Sequence, residues 1–393
     1  MNRRQFIVSA AASTLAVAAR AADQEAKLRI AVIGHTGRGD FGHSLDIMWL
    51  NMPETTVVAV ADANPAGLAK ARERLRGVPG FEDYRKMLAE TKPDIVSIAL
   101  RHIDQHRDMA LAAVESGARG IYMEKPFCRT PAEAGEIIAT CEKRGTKLAL
   151  AHRNRYHPAL PTVEKLVRDG GIGQLLEVRG RGKEDARGGA LDLWVLGSHV
   201  LNLAHYFVGK PLACTASMLQ DGRPVTRADV RDGAEGVGPI AGNELHSRFE
   251  TERGVPLFFD SIAKAGNTEA GFGLQLIGTK GIIDLRCDKH PIAHIAAGSP
   301  FAPDEKARAW VPISSAGAGK PEPIADAAAQ VSSHKLVARD LFAAIRDNRA
   351  PLCDAHAGAA TVEMICAVFE SHRLGGQRVA IPLKTRQNPL TML

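Results

Sequence analysis

Between residues 27 and 153, short β-branched and apolar runs alternate with stretches of helical periodicity. "LRIAVIG" (28–34), "TTVVAVAD" (55–62), "DIVSIAL" (94–100), "GIYMEKP" (120–126) and "KLALAHR" (147–153) are apolar almost without alternation. That pattern marks strands buried on both faces of a parallel sheet. Helices are predicted over 65–76, 83–91, 104–117 and 131–144. Pro65 and Pro131 stand where helices start, and Gly117 and Gly145 where they stop. The strand–helix repetition predicts an α/β domain of the Rossmann type over 24–150, with a parallel, doubly wound sheet.

The texture changes after residue 156. "LEVRGRG", "ACTASMLQDG", "HSRFETERG", "PLFFDSIAKAG" and "GLQLIGTKGIIDLRCD" read as alternating strands punctuated by glycine. Residues 191–209 are helical, with Leu196, Val200, Leu203 and Phe207 on one face, and helical periodicity returns at 334–348 and 355–372. Residues 296–332, rich in Ala, Gly, Pro and Ser, read as a long surface excursion. The expectation for 151–393 is an α+β domain with a large, mostly antiparallel open sheet. Its 334–348 helix is expected to pack back on the first domain.

The first 21 residues stand apart. Arg3-Arg4, the apolar run Phe6–Ala19 and the Ala19-Arg20-Ala21 cleavage pattern predict a twin-arginine signal and export of a folded chain to the periplasm. The run is too short to span a bilayer, so no membrane attachment is expected after cleavage. Removing 1–21 takes away three arginines and lowers the formal charge from +6 to +3. No block of like charges marks a nucleic-acid face. Six cysteines without a C-x-x-C give no zinc or thioredoxin spacing. No metal is expected, and one disulfide pair stays open.

"AVIGHTGRGDFGH" (31–43) fits a dinucleotide loop in two registers. The strand ends at Ile33, so Gly34 is expected to make the tight turn and Thr36, Gly37 and Arg38 to approach a pyrophosphate. Gly39 would then let the next helix pack closely. On that reading the better pattern match, Gly37-Gly39-Gly42, is incidental. Asp62 ends the second strand, placed to accept both hydroxyls of an adenosine ribose and to repel a 2′-phosphate; that favours NAD over NADP. Glu124 and Lys125 fall at the end of a parallel strand, where α/β sheets bind ligands, and a partly desolvated lysine there can exchange a proton with a hydroxyl. Glu235, Glu244 and His246 lie between Gly-rich turns without metal-ligand spacing, and a substrate role or a sheet-edge role stays open.

"IAVIGHTGRG", "VVAVAD", "EKP" (124–126), "HRNRYHP" (152–158) and "GSHVLNLAHYFVGKP" (197–211), in this order, resemble the glucose-fructose oxidoreductase / inositol dehydrogenase / MocA family. The resemblance runs from residue 27 to "RVAIPL" at 378–383. It implies a tightly bound nicotinamide cofactor, a sugar or polyol substrate, and a homo-oligomer (dimer or tetramer) formed through the open sheet. Carried over by position, Lys125 matches the family's catalytic or substrate-orienting lysine, Glu124 its cofactor-side neighbour and His106 a cofactor-side histidine. Arg153, Arg155 and Tyr156 are expected on the substrate side, and His199 matches the active-site histidine. The acid expected four residues before His199 is Val195, and the one three after it is Asn202; Asp192, two helical turns earlier, is the candidate replacement. The activity implied is hydride transfer between a carbinol carbon and nicotinamide. The missing acid keeps two alternatives open: an NAD-assisted glycoside hydrolase or lyase without net redox, and a non-catalytic NAD-holding protein.

Overall fold

In the computed structural model the described residues are 27–266, 271–303 and 307–393; the predicted signal, 1–21, lies outside them. Six parallel strands form the first sheet: β1 (Leu28–Ile33), β2 (Thr55–Ala61), β3 (Gly80–Phe81), β4 (Ile95–Ile98), β5 (Gly120–Met123) and β6 (Lys147–Leu150). Their order is 3-2-1-4-5-6. β4 and β5 are wholly buried, as their unbroken apolar runs require. The helices α1 (Pro65–Arg74), α2 (Tyr84–Thr91), α3 (His106–Glu115) and α4 (Pro131–Arg144) cover the faces. Asn64 and Thr130 side chains cap α1 and α4 just before their N1 prolines, and Gly145 ends α4 in the left-handed conformation.

The first crossover departs from expectation. No α-helix follows the glycine loop; residues 41–46 form turns and only a 3-10 stretch, Ile47–Asn51, precedes β2. Positive φ angles at Asp40, Gly42 and Ser44 break the helical path three times within five residues.

The second domain is built on an eleven-stranded sheet. Its centre comprises β7 (Leu175–Arg181), β8 (Pro211–Gln220), β9 (Glu244–Thr251), β10 (Leu257–Ile262), β11 (Gly273–Gly278), β12 (Gly281–Arg286) and β13 (Ala293–Ala297). The spatial order is β13-β12-β11-β7-β10-β9-β8, antiparallel except for the β7–β10 pair. Helix α5 (Leu160–Arg168) precedes the sheet. Alternating burial along β9 and β10 leaves one face open; α6 (Ser198–Val208) and α8 (Ala355–Arg373) pack on the other. The 296–332 excursion carries short strands, Val311–Ser314 and Gly317–Ala318, that extend the sheet edge.

Helix α7 (Lys335–Arg346) returns to the first domain. Its Val337, Ala338 and Leu341 share one apolar cluster with Ile30, Trp49 and Tyr122. A Cβ on Gly120 would come within 2.7 Å of Ile345, so the helix seats closely on β5. All six cysteines are buried and unpaired. Among the described residues no helix is long and apolar enough to cross a membrane, and no cluster of His, Cys, Asp and Glu forms a metal site.

Candidate active site

The glycine loop opens at the carboxyl end of β1. His35 and Asp40 pair their backbones across a turn in which Gly37 and Gly39 have φ of 85° and 88°. The Thr36 amide donates to Asp62 and the Gly37 amide to Asp40 Oδ1, so both already hold anionic oxygen. Asp62, buried at the end of β2, also accepts from Thr36 Oγ1 at 2.6 Å and Asn64 N at 2.9 Å. A Cβ on Gly34 would strike the Phe41 ring at 2.3 Å, and one on Gly39 would meet Arg101 N at 2.5 Å. Gly42 is not incidental: its φ is 55° and a Cβ there would lie 2.4 Å from Ala99 O. Both glycine registers are therefore structurally required. Arg38 reaches away from the loop to pair with Asp104.

Glu124 and Lys125 follow β5, as the strand pattern expects. Glu124 is buried; one oxygen accepts from His43 Nδ1 at 2.5 Å and the other has no partner. Burial pushes this carboxyl up, but the His43 bond and the His43 and Lys125 charges outweigh it and hold it below the usual range. Lys125, also buried, donates one hydrogen bond, to the Val195 carbonyl at 3.1 Å. That carbonyl belongs to a π turn, Leu193–Gly197, leading into α6, a distortion that recurs at functional sites. Burial pulls the Lys125 ammonium down, and Glu124 and Glu235 offset it only in part.

Lys125 and His199 line one cavity of about 230 Å³ between the domains. Burial, with the charge of Lys125, holds the His199 imidazole well below its ordinary value. Its Nδ1 lies 3.3 Å from Nδ1 of His152, which burial pushes down to about 3. A lysine of lowered pKa is suited to exchange a hydroxyl proton, and the neutral imidazoles beside it can accept hydrogen bonds from substrate hydroxyls. Arg153 and Asn154 face the cavity, while Arg101, Lys183 and Arg187 add positive charge against Glu235 and Asp288.

Besides Arg38, four predicted site residues require correction. Asp192 does not reach His199 or Lys125: its carboxylate accepts from Lys183 N, Glu184 N and Ser261 Oγ and fixes the 182–184 backbone beside the cavity. His106 has both ring nitrogens on main-chain carbonyls, Leu100 O on one side and Pro126 and Phe127 O on the other; it rivets the Lys125 turn to β4 and leaves no group for a cofactor. Arg155 and Tyr156 turn away within the 3-10 turn Arg153–Tyr156. Arg155 bonds Asn202 O at 2.6 Å and Tyr156 bonds Asp340, anchoring α6 and α7. His43, Arg101, His152, Lys183, Arg187 and Glu235 are the residues that sequence reading left out of the site. They arrive from separate turns and carry no shared spacing; only Glu235, amid glycines, had a local signal.

Residues 28–152 match the model of an oxidoreductase family with an NAD-binding Rossmann fold, and residues 164–381 match that family's C-terminal alpha/beta domain. The chain belongs to the Gfo/Idh/MocA oxidoreductase family. It is thus an oxidoreductase with an NAD-binding domain. A levoglucosan dehydrogenase of Pseudarthrobacter phenanthrenivorans is 24% identical over 69% of this chain and 77% of its own. A D-apiose dehydrogenase of Paraburkholderia graminis is 29% identical over 49% and 54%; this chain spans about half of that relative. A solved levoglucosan dehydrogenase in complex with NADH and levoglucosan superposes with a TM-score of 0.70 at 22% identity, over 91% of this chain and all of the other. The Gfo/Idh/MocA cofactor fits the loop described above. Gly37 has open space around it at the tip of the loop, Asp62 stands at the ribose end of β2, and Glu124 keeps one buried oxygen without a partner.

Proposed function

We propose that this protein is an NAD-dependent oxidoreductase that interconverts a carbinol and a carbonyl on a sugar or sugar derivative. The observation that carries the reading is the convergence of Lys125 and His199, both shifted toward their neutral forms, in one cavity at the carboxyl end of β5. When bound, NAD supplies the hydride acceptor; Gly34, Thr36, Gly37, Gly39, Asp62 and Glu124 would hold it. Lys125 takes the hydroxyl proton as the neutral amine. His199, backed by His152, accepts a hydrogen bond from a second hydroxyl and fixes the sugar's orientation. Arg153 grips substrate oxygens from the second domain. The names of the relatives, dehydrogenases of levoglucosan, D-apiose and D-glucosides, support a sugar as substrate.

The reading extends to export of the folded protein with its cofactor by the 1–21 signal, and to a homo-oligomer through the open sheet face. Native mass spectrometry of protein from the exported fraction tests the first claim, with NAD expected to co-purify. A panel of sugars monitored at the NADH absorbance tests the oxidoreductase reading, with stoichiometric NADH formed from at least one of them. No NAD binding on titration, or glycosidic cleavage without net NADH, overturns the reading.

A further inference from the structure

The family pattern expects an acid where this chain has Val195, and Asp192 gives its oxygens to the 182–184 backbone and Ser261. Neither puts a carboxylate into the cavity. Two others do, Asp288 and Glu235. Asp288 accepts from the Phe272 amide at 3.4 Å. Glu235 accepts no hydrogen bond and joins no ion pair among the described residues, so its oxygens are left to the cavity.

The backbone at Glu235 is unusual. Its φ of 58° and ψ of 23° put it in the left-handed region, where glycine is at ease and glutamate is strained. Residues 233, 236 and 238 are glycines, yet position 235, which lines the cavity with Lys125, is not. The loop is seated firmly. A Cβ on Gly236 would lie 2.5 Å from Asp104 Oδ1, and Asp104 is itself paired with Arg38 of the glycine loop. A side chain kept in a strained conformation, unpartnered and inside the reaction cavity, is selected for what its oxygens do.

We propose that Glu235 is the relay carboxylate of this site, exchanging with Lys125 the proton that leaves the substrate hydroxyl. The inference rests on the oxidoreductase reading above. In the oxidative direction the carbinol C–H pair leaves as hydride to NAD, the O–H proton passes to the neutral Lys125 Nζ, and the C–O bond becomes C=O. Glu235 lies beyond direct hydrogen-bond reach of Lys125, so Lys125 regains its amine by passing the proton through a bridging water in the cavity to Glu235, which releases it to solvent; reduction runs in reverse. His102, Lys125 and Arg187 are the titratable groups that face Glu235, and Asp104 lies beneath its loop. Of these, only Lys125 and Arg187 share the cavity with it, and Arg187 is bound to Asp185.

The test uses the full mature chain with Glu235→Gln, which removes the proton acceptor at constant size, and Glu235→Gly, which relieves the backbone. The first readout is the pH titration of the Lys125 side chain by NMR on lysine-labelled protein, assigned with Lys125→Arg. The midpoint is expected to fall by about one unit in both variants. The second readout is turnover, with kcat expected to drop about 100-fold and KM for the sugar to stay within about threefold. Glu235→Asp is expected to restore part of kcat. In Glu235→Gly the thermal midpoint is expected to be unchanged or higher while kcat falls, which a purely structural residue would not show. An unchanged Lys125 midpoint in Glu235→Gln overturns the inference. If the wild-type protein oxidises no sugar, the functional reading above fails and the relay fails with it, while the Lys125 titration still reads whether Glu235 and Lys125 are coupled. Coupling with an unchanged kcat in Glu235→Gln, on a substrate that is turned over, overturns the relay alone.

Discussion

Lys125 carries its amine into the cavity on a single hydrogen bond to a main-chain carbonyl, with Glu124 behind it. Lys125→Met retains the aliphatic stem and removes the base. Turnover is expected to fall about 100-fold to 10,000-fold, while NAD affinity by titration calorimetry moves only a few-fold. The direction of the pH profile follows. Lys125 accepts a proton only as the neutral amine and its pKa is lowered, so kcat/KM should rise with pH and level off below the ordinary lysine value. His199 and His152 are depressed and stay neutral through this range, so no limb is expected near pH 6.5. A rate profile from pH 5 to 10 checks both statements. At this scale the sequence revealed residues tied to a strand end, such as Asp62, Glu124 and Lys125. Residues fixed by tertiary partners stayed hidden. Nothing in "HRNRYHP" says that Arg153 faces the cavity while Arg155 and Tyr156 turn to α6 and α7. That choice belongs to Asn202 and Asp340, distant in the chain.

The glycine loop and the 182–184 turn are elements whose shape is held by close contacts. Gly42→Ala puts a methyl 2.4 Å from a carbonyl oxygen at positive φ, whereas Gly37 has open space around it and only its φ of 85° to satisfy. Gly42→Ala should therefore cost several kcal/mol and weaken NAD binding strongly, and Gly37→Ala about 1–2 kcal/mol; chemical denaturation and NADH fluorescence titration measure both. In the second turn, Asp192→Ala strips three donors of their acceptor, and a loss of about 2–5 kcal/mol is expected. Lys183 moves with that turn, so KM should rise more than kcat falls. The strands and long helices were legible because burial on both faces or on one stripe writes a period into the sequence. The first crossover was not, because its turns depend on contacts with Phe41, Ala99 and Arg101 across the sheet.

Across the whole molecule, buried histidines set the response to acid. Burial lowers His152 and His205 to about 3, and His157 and His334 to about 4. In the unfolded chain they return to about 6.5. The unfolded state therefore binds more protons between pH 6.5 and 3–4, and stability, full above that window, drains as pH falls through it. Thermal midpoints should drop from pH 7 to pH 5, and His205→Leu, which removes one such group beside Met364, should lessen the drop.

Helix α7 gives the first domain its last layer, yet in sequence it follows the central strands of the second sheet. During synthesis all six strands of that sheet leave the ribosome long before Val337, Ala338 and Leu341 exist to cover Trp49 and Tyr122. The nascent domain waits with an apolar flank exposed until the central strands of the second sheet have been made. Completion of the first domain is thereby a timer: it reports that those strands have been translated.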